Sequence, residues 1–185
     1  MSIIIIYLLS FILLGIGIKY DGSIANFFLN NQNIVLSRFM DIFAFLGSAI
    51  GVFIIVTGYL YAKKKKIPMP FWIAFAGSMF ITYLLKVFVA RERPWQIASS
   101  FDMARSFPSG HATACFAALP FIKGKMRYAW IVFSVLVLFS RIYQGYHYLT
   151  DVAVGSMIGL TIALAISKYE DKLSIESIKK TLKKR

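Results

Sequence analysis

The chain holds two histidines, His111 and His147, and each stands among residues suited to handling an anion. His147 precedes Asp151 by four positions, a spacing that on a helix turns the carboxylate toward the imidazole. A carboxylate on one ring nitrogen fixes the tautomer and raises the basicity of the other, which prepares a histidine for attack. Ser140-Arg141 lies just upstream. Six residues on one unbroken helix would set Arg141 and His147 on different faces, but Gly145 between them predicts that the helix ends and the chain turns. His111 closes the run Ser106-Phe107-Pro108-Ser109-Gly110-His111, after which the sequence becomes apolar. Ser or Pro at the head of an apolar run predicts a helix N-terminus. Free N–H groups and the positive dipole end make such a terminus an anion site, and Gly110 lets the backbone approach an oxyanion closely. In isolation the segment also reads as a plain helix cap with a structural histidine.

A third cluster is cationic. Lys86 and Arg93 are seven apart, nearly two helical turns, and Pro94 follows. They share a face if the helix continues that far, although the residue before a proline disfavours helix. Lys86 and Arg141 both lie in otherwise uncharged apolar runs. Charges at that depth face a polar interior or snorkel to the nearby surface. Taken together, Lys86, Arg93 and Arg141 supply cations, the start of a helix supplies N–H donors, and two histidines supply nucleophilic and acid–base chemistry. That inventory suits phosphoryl transfer, whose transition state spreads negative charge over oxygens held in line.

The elements that must carry these residues are membrane spans. The chain has 185 residues, 58% hydrophobic and 16% charged, too apolar for an ordinary soluble domain. Six hydrophobic segments are expected, at Ile3–Ile18, Ile42–Ala62, Ile67–Ala90, Phe107–Ile122, Tyr128–Tyr143 and Val152–Ser167. A bilayer core takes about 20 helical residues, so the shorter segments need help from their flanks. The fold class is all-α: a polytopic bundle of six transmembrane helices in residues 1–167, with an interfacial helix after the first span. Ser23–Met40 mixes Phe27, Phe28 and Phe39 with Asn30, Asn31 and Asn33 and is expected to lie along the outer surface. Residues 168–185 form a basic tail, read either as a loosely amphipathic helix on the leaflet or as a solvated segment.

Six spans place 14 Lys and Arg residues on one side and 7 on the other. The richer side is cytoplasmic by the positive-inside rule, which puts both termini in the cytoplasm and all three clusters at the outer surface. Trp95, Tyr143, Tyr146 and Tyr148 read as the outer aromatic belt. The net charge of +13 sits at the ends of apolar blocks and in the tail, which favours anionic lipid over nucleic acid as the partner. The first segment lacks a positive residue ahead of its apolar core, which argues against a cleaved signal peptide. The single Cys115 excludes an internal disulfide and reads as a small buried residue.

Lys86…Arg93-Pro94, Pro108-Ser109-Gly110-His111 and Ser140-Arg141…His147…Asp151 together resemble the type 2 phosphatidic acid phosphatase superfamily, which also includes glucose-6-phosphatase and the vanadium haloperoxidases. The family pattern is Lys-x6-Arg-Pro, then Pro-Ser-Gly-His, then Ser-Arg-x5-His-x3-Asp, and every position matches in order. The resemblance implies a metal-independent, cofactor-free membrane lipid phosphatase. His147 would attack phosphorus, Asp151 would orient it, and His111 would protonate the leaving oxygen and then activate water. Lys86, Arg93, Ser109, Gly110, His111 and Arg141 would hold the phosphate oxygens. Family members of this build act on undecaprenyl diphosphate, phosphatidylglycerol phosphate, phosphatidate, diacylglycerol pyrophosphate or the phosphates of lipid A. Arg38, Arg91 and Arg105 are outer cations outside the motifs, suited to a polyanionic head group or merely to an anionic surface. The same residues would serve a phosphotransferase that passes the phosphoryl group to a lipid acceptor. A transporter would instead gather polar groups near the midplane and show inverted repeats, and the sequence shows neither. No obligate protein partner is evident.

The orientation is open to a direct check. Single cysteines placed at Lys64 or Ser99 in a Cys115→Ala background should differ in intact cells, with an impermeant thiol reagent labelling position 99 and sparing position 64. The reverse pattern would overturn the outward-facing site.

Overall fold

The computed structural model describes residues 3–64, 67–94 and 105–169. Its elements are α1 (Ile3–Asn30), α2 (Ile34–Leu46), α3 (Ala49–Lys64), α4 (Met69–Val89), α5 (Gly110–Ala118) with a 3₁₀ turn at Leu119–Phe121, α6 (Lys125–Tyr143) and α7 (Leu149–Ser167). The described residues contain helices and no strands, in keeping with the all-α expectation. Trp95, Lys65, Lys66 and the tail beyond Tyr169 lie outside the described residues.

Four helices, α1, α4, α6 and α7, are long and apolar enough to cross a membrane, and the bent pair α2–α3 could make a fifth. Three boundaries differ from expectation. α1 does not stop at Ile18 but runs unbroken to Asn30, since no proline interrupts it and Gly22 weakens a helix without ending it. Asn33 then starts α2, its side chain accepting from Val35 N at 2.9 Å and Leu36 N at 3.2 Å, a standard N-cap. The expected interfacial segment Ser23–Met40 is therefore divided, its first part completing α1 and its remainder opening α2. α2 and α3 meet at 59° around Gly47 and Ser48. α4 ends at Val89 rather than continuing to Arg93. Ala90 adopts the left-handed conformation, φ 53°, and its N–H returns to Lys86 O at 3.1 Å. Arg93 is therefore on the following loop, and the shared helical face expected for Lys86 and Arg93 does not form.

α5 is the third departure. It has nine residues before the 3₁₀ turn at Pro120, too few to span a bilayer alone. Residues 112–122 are all buried, because α7, α4, α3 and α6 pack around the short helix. Small residues make that packing close. A Cβ added to Gly155 would stand 2.5 Å from Ser109 O, and one added to Gly159 would stand 2.3 Å from Thr113 O. Only hydrogen fits at either place, so the backbones of α5 and α7 touch as in small-xxx-small membrane pairs. This contact brings the N-termini of both helices to the same end of the bundle.

Candidate active site

α5 begins where the chain leaves the cis Phe107–Pro108 peptide. Ser109 occupies the N-cap position, but its hydroxyl makes no capping bond. Its N–H donates to the Asp151 carbonyl at 3.0 Å. The Ser109 Oγ is buried and has no partner in the protein. Gly110 is not imposed by packing, since an added Cβ would meet only Met79 Cε at 3.6 Å; its small size leaves the helix terminus open to a ligand. His111 Nε2 lies 3.1 Å from Ala44 O. A carbonyl only accepts, so Nε2 carries a proton and Nδ1 is left for proton transfer. That carbonyl belongs to the last turn of α2, next to the α2–α3 bend. His147, Arg141 and Arg93 all lie within electrostatic reach of His111.

α6 ends at Tyr143, and Gly145 takes φ 72° to reverse the chain, as its position in the sequence predicts. Tyr146 N and His147 N both return to Arg141 O, at 3.0 and 3.2 Å. The turn thereby sets His147 beside Arg141 despite their six-residue separation. The Arg141 guanidinium is buried. Its Nη1 donates to Gln144 Oε1 at 3.3 Å, and Gln144 Nε2 donates onward to Asp41 Oδ1 at 2.7 Å. Its Nε is buried without a partner. The Tyr146 ring lies 4.3 Å from the Arg141 guanidinium carbon and 5.4 Å from that of Arg93. The electron-rich ring attracts both cations.

His147 is 3% exposed. Its Nδ1 lies 2.8 Å from Ser106 O and 3.6 Å from Asp151 Oδ2. Both are acceptors, so Nδ1 bears the proton and Nε2 presents its lone pair. Burial lowers the His147 pKa from its ordinary value to about 4, against the raising influence of Asp151, and Lys86 and Arg141 add to the lowering. The ring is thus neutral at physiological pH, the state a nucleophile needs. Lys86 Nζ donates to Arg105 O at 2.8 Å and approaches Ser106 O at 3.4 Å. Lys86 and His147 therefore meet at one carbonyl. Ser106 itself is fixed by Ser106 N to Arg91 O, 2.8 Å, and Ser106 Oγ to Glu92 O, 2.9 Å.

The fold thus brings together Lys86, Arg93, Ser109, Gly110, His111, Arg141, His147 and Asp151 from α4, α5, α6, α7 and two loops. Four contributors were not visible in the sequence as site residues. The carbonyls of Ser106 and Ala44 are backbone groups, which carry no residue signature. Tyr146 reads as an interfacial aromatic until its two arginine neighbours are seen. Asp21 on α1 reaches the same region, accepting from Thr150 N at 3.1 Å; a lone acid in a long apolar run was the signal available. Arg105 donates to Val87 O at 2.8 Å and so braces its own loop. Among the described residues, no three His, Cys, Asp or Glu side chains group to hold a metal ion.

Residues 67–175 match the PAP2 superfamily model. An undecaprenyl-diphosphatase of Sulfolobus acidocaldarius is 28% identical over 199 residues, covering 96% of this chain and 96% of its own. Phosphatidylglycerophosphatase B of Bacillus subtilis is 28% identical over 136 residues, 66% of this chain and 67% of the relative. The crystal structure of a transmembrane PAP2 type phosphatidylglycerolphosphate phosphatase from Bacillus subtilis superposes with a TM-score of 0.72 at 22% identity, over 93% of this chain and 97% of that one. The family match spans more than half the sequence and contains all three motif clusters, and the chain is therefore a membrane phosphatase belonging to the PAP2 superfamily.

Proposed function

We propose that the protein hydrolyses a phosphomonoester or pyrophosphate on a membrane lipid at the outer leaflet, through a phosphohistidine on His147. The observation that carries this reading is the pair of buried, unpartnered groups at the site, Ser109 Oγ and Arg141 Nε. A buried polar group left unsatisfied costs about 1–3 kcal/mol, and a phosphate oxygen would satisfy both. Lys86, Arg93 and the N–H groups at the start of α5 supply the remaining positive potential. The lipids acted on by the relatives, together with phosphatidate and the lipid A 1-phosphate, form the candidate substrates. This reading takes residues 1–167 as a six-span domain and residues 168–185 as a basic cytoplasmic tail, and it rests on the 14-to-7 split of Lys and Arg between the two sides.

In the first step the Nε2 lone pair of His147 attacks phosphorus, and the bond to the lipid oxygen breaks. His111 gives that oxygen a proton; the bound phosphate supplies the counter-charge that lets the ring hold one. As the N–P bond forms, the His147 ring becomes cationic, and the Ser106 carbonyl and Asp151 carboxylate stabilise it. In the second step His111 takes a proton from water, the hydroxide oxygen bonds to phosphorus, and the N–P bond pair returns to His147. Inorganic phosphate leaves. The positive charge comes from side chains and N–H groups, so the reaction requires no metal ion.

Two variants test the reading. Ser109→Ala removes a hydroxyl that has no partner in the free protein, so the melting temperature should stay level or rise. Loss of a hydrogen bond to a charged group, about 1.5–3 kcal/mol, should lower kcat/KM about 10- to 100-fold. A lowered melting temperature with unchanged kinetics would make the hydroxyl a structural cap. In rapid-quench assays run in EDTA with ³²P-labelled lipid monophosphate, wild-type protein should form an acid-labile phosphoenzyme and His147→Ala should form none. His111→Ala should lose about 10²–10⁴-fold on the lipid ester and less on an activated aryl phosphate, whose leaving group needs no proton. Phosphoenzyme that persists in His147→Ala and vanishes in His111→Ala would reverse the assignment.

A further inference from the structure

Arg91 lies in the loop after α4, two residues before Arg93, and is one of the outer cations that the motifs leave unassigned. Its surroundings differ from those of the phosphate-binding cations. Nη1 donates to Asp151 Oδ1 at 2.8 Å and to Thr150 Oγ1 at 2.6 Å, and Nη2 donates to Asp21 Oδ2 at 2.9 Å. The Tyr148 ring covers the guanidinium at 3.8 Å from its central carbon. Asp21 in turn accepts from the Thr150 N–H and hydroxyl. Two carboxylates against one guanidinium leave this group with no positive charge to offer a phosphate.

We infer that Arg91, tethered to α1 through Asp21, is a positioning residue that fixes the Asp151 carboxylate behind the nucleophilic His147. This rests on the phosphohistidine reading above.

The Asp151 side chain is fully buried. Its Oδ1 is held by Arg91, and its Oδ2 accepts from Tyr148 N at 2.8 Å. Both oxygens thus have partners besides the imidazole. His147 Nδ1 stands 3.6 Å from Oδ2 but 2.8 Å from Ser106 O. The Ser106 carbonyl is therefore the direct acceptor that sets the tautomer. Asp151 stands at a distance where it stabilises a cationic ring without drawing Nδ1–H off that carbonyl. A carboxylate released from Arg91 could rotate and take the Nδ1 proton for itself, which would swing Nε2 out of line with the phosphorus. Arg91 also tempers the negative charge that Asp151 presents to the ring. Asp21 lies outside the family-matched segment, and its bonds to Arg91 and Thr150 tie α1 to the catalytic geometry.

The test is a double-mutant cycle with full-length, detergent-solubilised protein and p-nitrophenyl phosphate as probe. Arg91→Met should lower kcat about 10- to 100-fold, the range usual when the group behind a ligating histidine is removed, with KM within about twofold. The charges facing His147 are Asp151 from α7, Lys86 from α4, Arg141 from α6 and His111 from α5. Loss of Arg91 leaves Asp151 less neutralised, so the proton is held more tightly on His147 and the acid limb of kcat/KM moves to higher pH. Asp21→Asn frees Arg91 to neutralise Asp151 further, so the limb moves to lower pH; a general structural lesion would not give opposite signs. In an Asp151→Asn background neither the loss nor the shift should recur on adding Arg91→Met. Additive losses, a raised KM with unchanged kcat, or an acid limb unmoved in both single variants would overturn the assignment. If Arg91→Met does not fold, the downward shift in Asp21→Asn and its absence in Asp21→Asn/Asp151→Asn decide the matter. His147→Ala is the control for the underlying reading: if it is inactive and unphosphorylated, additive losses remove only the role of Arg91, and if it stays active both fall.

Discussion

One backbone hydrogen bond joins the two halves of the site: Ser109 N–H to the Asp151 carbonyl, 3.0 Å. Ser109 heads α5, whose N-terminus is the proposed phosphate site, and Asp151 stands in the first turn of α7, just after His147. The bond forms only because α5 and α7 touch backbone to backbone, and they touch because Gly155 and Gly159 carry no side chain. In lipid the hydrophobic effect contributes little to helix association, so such close packing and its hydrogen bonds hold spans together. The same contact that stabilises the bundle therefore sets the distance between the N-terminus of α5 and His147.

Around that contact the charges divide into two groups. Arg91, Asp21 and Asp151 neutralise one another and build the frame behind His147. Lys86, Arg93 and Arg141 surround the two histidines, and the Tyr146 ring lies 4.3 Å from the Arg141 guanidinium and 5.4 Å from that of Arg93. The buried Arg141 guanidinium is costly at membrane depth, and its unpartnered Nε and the Ser109 Oγ add to the cost. A fold optimised only for stability would have paired or removed them. Their retention is the physical signature of a site prepared for an anion, since local rules tend to be broken where function demands it.

The side chains that the fold brings together could be picked out beforehand because phosphoryl transfer restricts residue types and the motifs restrict their spacing. Gly145 announced the turn that joins Arg141 to His147, and Ser109 and Gly110 announced a helix terminus. What stayed hidden was of three kinds. Backbone acceptors such as Ser106 O and Ala44 O have no sequence signature. The stop of α4 at Ala90 depends on one left-handed residue that composition does not favour, so Arg93 was expected on a helix that ends too early for it. The short α5 is apolar over the same stretch a span would be, and apolar length does not separate a span from a buried helix. The long α1 was cut at Ile18 because its later residues are mixed, although Asp21 within it faces the site.

The proposed chemistry requires His147 Nε2 to stand in line with a phosphorus held by Ser109 and Arg141. The most direct measurement is a crystal structure of the protein with orthovanadate, a mimic of pentacoordinate phosphorus. The account predicts vanadium bonded to His147 Nε2, with equatorial oxygens within about 3 Å of Ser109 Oγ and Arg141 Nε. Vanadium bonded to His111, or bound while those two groups remain unpaired, would contradict it.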